Sequence, residues 1–304
     1  MRIVRGSKHF KRSGRPVVMT IGNFDGVHLG HQAILKRLAS VSRRAKGVSV
    51  VYTFDPHPVK AIVPKACPKL LQTTEQKLNS LKECGVDIVV IEPFTRKFAR
   101  SSAKKFFEEI ILKRLRPEHI IVGYDLTFGR HRLGDTKSLE GLCDKTGIGI
   151  EIVHPVFLGE NLLSSTQVRS LVAKGEMERA TKMLTRPFTL IGNVVKGLGI
   201  GKVLGFHTAN ITPENEVLPP EGVYITKTLG HVSVTNIGCN PTFGGRSLTV
   251  ETHILNFQKK IYGKKIGVQF YKRLRNEITF GNPLDLKRQI EADIDAAKRF
   301  FHGR

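Results

Sequence analysis

The chain has 304 residues, of which 40% are hydrophobic and 25% charged, and its formal net charge at pH 7 is +23. This length and composition predict roughly two globular domains with buried cores, and no apolar stretch reaches the ~18 residues that a membrane span requires. The basic N-terminus has no apolar segment before the first predicted strand, so we expect no secretory signal. The four cysteines are scattered, which favours reduced thiols in a cytoplasmic protein over a disulfide framework or a zinc site.

The basic excess is the main argument for a nucleic-acid partner. It is spread over both halves of the chain, however, and its densest runs are short. The chain has no Trp and no basic run interleaved with aromatic residues, so a single-strand-binding surface is not favoured. The charge is more typical of a solvated surface, and it would steer anionic substrates towards the protein. We therefore expect small-molecule substrates, no membrane or nucleic-acid partner, and a monomer or weak oligomer.

The first half of the chain alternates apolar strands with helical segments. Near-continuous Val and Ile runs predict strands over residues 17–21, 48–54, 86–91, 120–123 and 148–153. Apolar periodicity predicts helices over residues 33–46, 75–84 and 103–115, the second ending at Gly85. This pattern is typical of a doubly wound α/β domain with a parallel sheet, whose ligands bind at the carboxyl ends of the strands.

A glycine-rich turn, residues 22–31, connects the first strand to the first helix. His28 and His31 lie where the helix begins, and a helix N-terminus offers unpaired N–H groups and a positive dipole to an anion. Imidazoles placed there can stabilise charge that develops during phosphoryl or nucleotidyl transfer. Glycines in the turn let the backbone approach a ligand closely. The spacing is the His-x-Gly-His signature of nucleotidyltransferases; the alternative is a tight turn with two solvated histidines.

Other strands of this domain also end in residues that are capable of chemistry. Asp55 and His57 follow the second strand in a loop that two prolines stiffen, and Asp125 follows the fourth. After the fifth strand, the hydroxyl residues 164–166 resemble an N-cap, with Arg169 one turn into the helix. Two interpretations stay open here: a helix cap beside a surface arginine, or a second phosphate clamp facing the two histidines.

The composition changes near residues 186–188, so we divide the chain into domains 1–185 and 186–304. Beyond this point the sequence predicts short strands over residues 222–226, 231–236, 248–254 and 266–271, separated by glycine turns. Such a pattern is typical of a small antiparallel barrel. A final helix over residues 284–301 carries an apolar face and is expected to pack on the barrel.

The second half contains its own candidate chemistry. Segment 197–202 is glycine-rich and ends in a lysine, which suits phosphates, although Val203 and the lack of a following helix exclude a P-loop. Thr208 and Asn210 supply neutral oxygens that could hold a magnesium ion already bound to ATP. Glu251 is a candidate general base for a substrate hydroxyl, but a solvated strand glutamate would show the same local pattern.

These motifs together resemble the bacterial bifunctional riboflavin kinase/FMN adenylyltransferase family, also called FAD synthetases, over essentially the whole chain. The first half carries GNFDGVHLGH, TFDPHP, VGYDLTFG and LSSTQVR in the family's order. The second half carries the glycine loop, GFHTAN, NIGCNPTF, VETHILNF and RNEITF. Several spaced motifs in two domains make this resemblance more specific than any single pattern.

The resemblance implies two consecutive reactions that use ATP and Mg²⁺: riboflavin is phosphorylated to FMN by the C-terminal domain, and FMN is adenylylated to FAD by the N-terminal domain. The implied catalytic residues are Glu251, His28, His31 and Arg169. The implied ATP-binding residues, beside the two histidines, are Gly22, Asn23, Phe24, Asp25, Gly26, Ser164, Ser165, Thr166, Gly197, Gly201 and Lys202. The implied flavin-binding residues are Asp55, His57, Asp125 and Arg275, and the implied metal ligands are Thr208 and Asn210.

The chain departs from the family pattern at four positions. His207 stands where proline is usual, Lys202 where arginine is usual, Leu126 where an aromatic is usual, and Thr185 where glycine is usual. The loss of proline and of a planar guanidinium predicts full adenylyltransferase activity with a weaker kinase. The alternatives are an adenylyltransferase with an impaired kinase, a nucleotidyltransferase for a pantetheine or cytidylyl substrate, or a basic nucleic-acid-binding protein on a degenerate enzyme fold.

Overall fold

The structure is a computed structural model that describes residues 1–197, 205–242 and 245–303, with the side chains of residues 239–242 and 245–247 excepted. The chain divides into two compact units, Met1–Ser164 and Ser165–Arg304. Within the described residues, no helix combines the length and the apolar character that crossing a membrane requires.

The first unit is built on a six-stranded parallel sheet with the order β1-β4-β3-β2-β5-β6. Its strands are β1 (Arg2–Arg5), β2 (Val17–Ile21), β3 (Val48–Asp55), β4 (Ile88–Pro93), β5 (His119–Gly123) and β6 (Gly149–Val153), followed by a hairpin of β7 (Phe157–Leu158) and β8 (Asn161–Leu162). Its helices are α1 (Leu29–Arg44), α2 (Pro58–Ile62), α3 (Thr74–Glu83), α4 (Arg96–Ala99), α5 (Ala103–Phe106), which continues as a π-helix (Phe107–Leu115), and α6 (Thr136–Asp144). Single 3₁₀ turns cover Ser7–His9, Pro64–Ala66 and Arg130–Arg132.

Helices cover both faces of this sheet, which confirms the doubly wound prediction. Leu38 of α1 and Leu81 of α3 pack in one core cluster with alternate sheet residues. Phe107 and Ile111 of the π-helix and Leu139 of α6 belong to the cluster on the opposite face. Every residue of β2 is buried, since the strand is central and covered on both sides. Two-sided burial explains why the strands are near-continuous Val and Ile runs.

The order of the strands places a switch point at β2. This strand pairs with β3 on one side and with β5 on the other, so the chain winds outwards in both directions from it. A crevice therefore forms outside the carboxyl ends of β2 and β5, where doubly wound folds bind ligands.

Two features of this unit differ from the sequence prediction. The short strand β1 was not predicted because it is a basic strand at the edge of the sheet, with only Val4 buried. Helix α1 begins at Leu29 instead of residue 33, so that His28 occupies its N-cap position. The apolar periodicity that locates helices starts only after the polar first turn. Gly85 follows α3 with φ 78°, as expected for a helix-ending glycine.

The second unit contains a closed antiparallel barrel with the order β10-β13-β12-β11-β14-β9, which confirms the predicted architecture. Its elements are α7 (Ser165–Lys174), α8 (Met177–Leu184), β9 (Phe188–Val195), β10 (Thr208–Pro213), β11 (Gly222–Thr228), β12 (His231–Thr242), β13 (Gly245–Ile254), β14 (Lys265–Arg275) and α9 (Pro283–His302). Strands β9 and β10 add to the four predicted ones, since β9 closes the barrel by pairing with both β10 and β14.

Helix α9 packs on the outside of the barrel, as predicted. Ile294 and Ala297 belong to one core cluster with Val223 of β11. A buried ion pair adds to this contact: Arg275, at the end of β14, donates from Nη2 to Asp293 Oδ2 at 2.7 Å and from Nε to Oδ1 at 3.1 Å. Two parallel hydrogen bonds from one guanidinium fix the helix on the barrel.

We expect Asp293→Ala to destabilise the chain by about 3 kcal/mol, because it leaves the Arg275 guanidinium without its carboxylate. The side chains of this pair are only 19% and 7% exposed. Asp295→Ala is the matched control on the same helix, since its pair with Lys298 is 53–57% exposed and is worth less than about 0.5 kcal/mol. Urea unfolding followed by circular dichroism measures both; equal effects would contradict this role of Asp293.

Candidate active sites

The loop between β2 and α1 is held in an unusual backbone conformation. Phe24 and Val27 adopt positive φ angles of 51° and 41°, which side chains with a Cβ rarely adopt, β-branched ones least of all. Both side chains are fully buried in the core, 1% and 0% exposed, and this packing offsets the strain. Phe24 also folds back over Gly22, where a Cβ would lie 3.0 Å from the phenyl ring. Gly22 and Phe24, predicted to bind ATP, therefore shape the loop.

The Asp25 carboxylate fixes the same loop from the inside. It is buried and accepts hydrogen bonds from the backbone nitrogens of Leu71 at 3.0 Å and Gln72 at 3.3 Å. The side chain of Gln72 in turn accepts from the Gly26 nitrogen at 3.1 Å. Asp25 thus connects the loop to the segment that precedes α3. That Asp25 and Gly26 contact a nucleotide stays a prediction.

The two histidines stack at the start of α1. Their ring centroids are 3.9 Å apart, and a Cβ on Gly30 would lie only 3.1 Å from the His28 ring. His31 Nδ1 is buried and has no hydrogen-bond partner among the described residues. Burial, followed by the charges of His28 and Lys77, holds the pKa of His31 well below its usual value. His31 is therefore a neutral imidazole at pH 7, with one N–H to donate to an anion.

Lys77 of α3 is a cation beside these histidines that sequence reasoning missed. Its Nζ lies 3.4 Å from the carbonyl oxygen of Asn23 and 3.5 Å from Thr53 Oγ1, at the carboxyl ends of β2 and β3. A charged residue in a predicted helix is normally interpreted as solvent-exposed, so Lys77 was not singled out. The signal that could have found it is the polar inner face of α3, where Gln76 and Ser80 are buried.

The three predicted flavin-binding residues of this unit have different surroundings. Asp55 ends β3, and its Oδ2 accepts from Thr74 Oγ1 at 3.4 Å. His57 caps α2 and lies 3.8 Å, Nδ1 to Sγ, from Cys67. Asp125 is exposed just after β5, with a carboxylate oxygen beside Gly123. Asp55 and Asp125 therefore both lie at the carboxyl edge of the sheet.

The predicted second phosphate clamp spans the boundary between the two units. Ser164 is the last residue of the first unit, and α7 begins at Ser165. Arg169 is one turn into α7, as predicted, and its Nη2 donates to Thr166 Oγ1 at 3.2 Å. That these residues face the two histidines stays a prediction.

In the barrel, the candidate base is central in a row of polar residues. Glu251 of β13 pairs with Asn210 of β10 on one side and with Asn236 of β12 on the other. Thr208 precedes Asn210 on the same face of its strand, because the intervening Ala209 points into the core. Three of the sequence-predicted kinase residues therefore share one outer patch of the barrel.

A second carboxylate, Glu277, accompanies Glu251 and was not predicted. Glu277 Oε1 accepts from Asn236 Nδ2 at 3.3 Å, and it lies where a Cβ on Gly238 would be. Burial, followed by the charge of Glu277, raises the pKa of Glu251. A raised pKa suits a group that must accept a proton near neutral pH. Glu277 lies in the RNEITF motif, but nothing in the motif showed which strand it would face.

The residues present fit a magnesium ion that is held mainly by ATP phosphates. Thr208 and Asn210 offer a hydroxyl and an amide oxygen, which are hard neutral ligands. Gly197 approaches Asn210 so closely that any Cβ would overlap the amide, so the glycine leaves this amide its room. Among the described residues, no three His, Cys, Asp or Glu side chains come together as a metal site. A neutral pair of ligands complements a metal whose charge the phosphates already balance.

Four further positions singled out from the sequence have distinct outcomes. Gly201 and Lys202 lie outside the described residues. Arg275, predicted to bind flavin, uses its guanidinium on Asp293 and on the Asn276 carbonyl at 3.0 Å. His207, which replaces the family's proline, has its carbonyl held by His253 Nδ1 at 2.9 Å. This hydrogen bond restrains the backbone immediately before Thr208.

Comparison with known protein families covers both units. The FAD synthetase family model matches residues 10–167, and the riboflavin kinase family model matches residues 184–301. The chain is 34% identical over 308 residues to the bifunctional riboflavin kinase/FMN adenylyltransferase of Haemophilus influenzae, covering all of both chains. It belongs to this family. The same-named protein of Escherichia coli K12 is 36% identical over 307 residues, covering 99% of this chain and 98% of that one.

A solved structure shows the same architecture. The crystal structure of a protein called macrolide-efflux protein, from Streptococcus pneumoniae, superposes with a TM-score of 0.88 at 27% identity. The match covers 98% of this chain and 99% of the other. The arrangement of a parallel-sheet domain followed by a barrel is therefore shared over the full length of both chains.

We expect Lys77→Met to raise the pKa of His31, because a nearby positive charge disfavours the imidazolium and its removal relieves that effect. NMR titration of the imidazole nitrogens measures this. Lys82→Met, an exposed position on the same helix, is the control and should leave the His31 titration unchanged. A His31 pKa that is equal in wild type and Lys77→Met would contradict the described proximity.

Proposed function

We propose that the chain makes FAD in two steps, phosphorylating riboflavin to FMN and then adenylylating FMN with ATP to give FAD and pyrophosphate. The observation that carries this proposal is the pairing of a histidine site at a switch point with a barrel that presents Glu251 beside Thr208 and Asn210, in a chain matching both family models. We assign residues 1–185 to the adenylyltransferase and residues 186–304 to the kinase.

Adenylyl transfer needs no nucleophile from the protein, since an FMN phosphate oxygen attacks the α-phosphorus of ATP. The protein contributes position and charge stabilisation. His28 and His31 hold the triphosphate at the N-terminus of α1, and the neutral His31 donates one hydrogen bond to it. The segment 164–166 and Arg169 are assigned to phosphate binding on the family resemblance. Negative charge on the bound triphosphate in turn raises the pKa of His31 and strengthens this contact.

The flavin of FMN is assigned to the carboxyl edge of the parallel sheet. Asp55, His57 and Asp125 lie on loops that leave this edge after β3 and β5. Their donors and acceptors would orient the flavin so that its phosphate is in line with the leaving pyrophosphate.

In the kinase, Glu251 accepts the proton of the riboflavin 5′-hydroxyl as that oxygen attacks the γ-phosphorus of ATP. The bond from the γ-phosphorus to the oxygen that bridges it to the β-phosphorus breaks, and ADP leaves with that electron pair. Thr208 and Asn210 would hold the magnesium ion, which supplies charge neutralisation for the phosphates. Gly197 is assigned to the nucleotide and Arg275 to the flavin on the family resemblance. Because His253 restrains the backbone before Thr208, His207 is compatible with an active kinase.

Both reactions use only small molecules, so the protein would work in the cytoplasm, as a monomer or weak oligomer, without nucleic acid. Its basic surface serves to attract anionic nucleotides. Cys143 is buried as a free thiol, which accords with a reducing compartment.

The first experiment incubates the chain with Mg²⁺, ATP and either riboflavin or FMN, and separates the flavins by chromatography. FAD from both substrates is the expected result. FAD from FMN alone would indicate an adenylyltransferase with an impaired kinase. Neither product would contradict the proposal and would direct attention to nucleic acid or to other nucleotidyl acceptors.

Two substitutions should separate the activities. Glu251→Gln removes the base and should lower riboflavin phosphorylation at least about 100-fold while FMN is still adenylylated. His28→Ala should lower FAD formation from FMN by about 100-fold while the kinase is retained. Each variant is the folding control for the other. Normal phosphorylation by Glu251→Gln would sink the base assignment, and normal FAD formation by His28→Ala would make the histidine motif structural only.

Glu277→Gln should shift the pH dependence of the kinase. Glu251 acts in its ionised form, and Glu277 raises its pKa, so removing that negative charge lowers the pKa and moves the acidic limb of kcat/KM to lower pH. Glu277→Asp keeps the charge and serves as the control. An acidic limb that stays in place would show that Glu277 does not act on the base.

A further inference from the structure

Lys77 is a half-buried cation whose hydrogen-bonding capacity is poorly used. Its Nζ has contacts with three neutral oxygens: the Asn23 carbonyl at 3.4 Å, Thr53 Oγ1 at 3.5 Å and the Phe54 carbonyl at 3.5 Å. Good N–H···O hydrogen bonds measure 2.7–3.2 Å, so all three are at the weak end. Within the described residues Lys77 forms no ion pair, and the carboxylates of Asp25 and Asp55 act on it only as more distant charges.

A lysine in this position is costly unless a ligand uses it. Burial lowers the pKa of Lys77, which shows that the ammonium is incompletely solvated. The exposed Lys113 of this unit, by comparison, has the Glu109 carboxylate at 2.7 Å. Lys77 instead places an unneutralised positive charge at the carboxyl ends of β2 and β3, and the His31 imidazole senses that charge. The missing partner should therefore be an anion in the crevice.

We propose that Lys77 is a further catalytic residue of adenylyl transfer, which binds the phosphate chain of ATP and stabilises the charge of the departing pyrophosphate. The inference rests on the proposed function. As an FMN phosphate oxygen forms its bond to the α-phosphorus, the bond between that phosphorus and the oxygen bridging it to the β-phosphorus breaks. Pyrophosphate leaves with the electron pair of the broken bond. Lys77 keeps its proton throughout and contributes positive charge where negative charge develops.

The position of Lys77 suits this role better than a purely structural one. Its three present acceptors belong to the loop after β2, which borders the crevice, and to the end of the neighbouring strand β3. His31 approaches the same region from α1, so a triphosphate held at the helix N-terminus would have the His31 N–H donor on one side and the Lys77 ammonium on the other. If Lys77 served only to hold the Asn23 carbonyl in place, we would expect one short hydrogen bond to that oxygen. The structure instead has three long contacts.

The test uses the full chain with FMN, ATP and Mg²⁺, in which FAD formation reports the N-terminal domain alone. Lys77→Met should lower kcat/KM for ATP by about 100-fold, leave KM for FMN unchanged and weaken product inhibition by pyrophosphate. Lys77→Arg keeps a positive charge and should recover a large part of the loss. Lys82→Met, on the exposed side of α3, is the matched control and should behave as wild type.

Riboflavin phosphorylation by the same variants reports whether the rest of the chain is intact, and thermal unfolding reports stability. The inference is overturned if Lys77→Met keeps kcat/KM for ATP within about threefold, in contrast to the loss expected for a transition-state donor. It is also overturned if the loss lies in KM for FMN, or if Lys77→Met and Lys77→Arg are equally impaired and equally unstable. Absence of FAD formation by the unmodified chain would instead contradict the proposed function, and this inference with it.

Discussion

The buried carboxylate of Asp25 is the constraint on which the N-terminal site depends. A buried charge must find hydrogen-bond donors, and here they are the backbone amides of Leu71 and Gln72, 46 and 47 residues further along the chain. This interaction joins the loop after β2 to the segment that leads into α3. It therefore fixes both the start of α1, which carries the histidines, and the helix that carries Lys77. The positive φ of Val27 is tolerated because this network and the core together hold the loop.

The two active sites are assembled by different rules of β-structure. In the parallel sheet, loops from distant parts of the sequence meet because all strands end at one edge, and the reversal of winding at β2 opens a crevice there. In the antiparallel barrel, the pairing register of the strands brings the residues together. Asn210, Glu251 and Asn236 are neighbours because β13 pairs with both β10 and β12. The crevice of the parallel sheet suits two large substrates. The row of side chains on the barrel suits the transfer of a single proton.

Both sites hold groups of like charge close together and thereby disfavour the charged forms. Burial, His28 and Lys77 lower the pKa of His31, whereas burial and Glu277 raise that of Glu251. A phosphate beside the imidazole would favour its protonated form, and a metal cation beside the carboxylate would favour its ionised form. Much of the binding energy of the substrates can therefore stabilise these charged forms, next to the reacting groups. The overall charge of +23 acts at longer range, on the approach of the anionic substrates.

The sequence by itself determined the doubly wound sheet, the barrel with its terminal helix, and the positions of His28, His31 and Glu251, because burial on two faces and helix initiation leave local patterns. Only the tertiary structure decided which polar side chains form hydrogen bonds within the protein. Asp25 had the pattern of a ligand residue and is satisfied by backbone amides, and Arg275 is engaged by Asp293. Lys77 had the pattern of a surface charge, yet its ammonium contacts the Asn23 carbonyl in the loop after β2. Burial and pairing depend on residues far apart in the chain, so no local pattern could contain them.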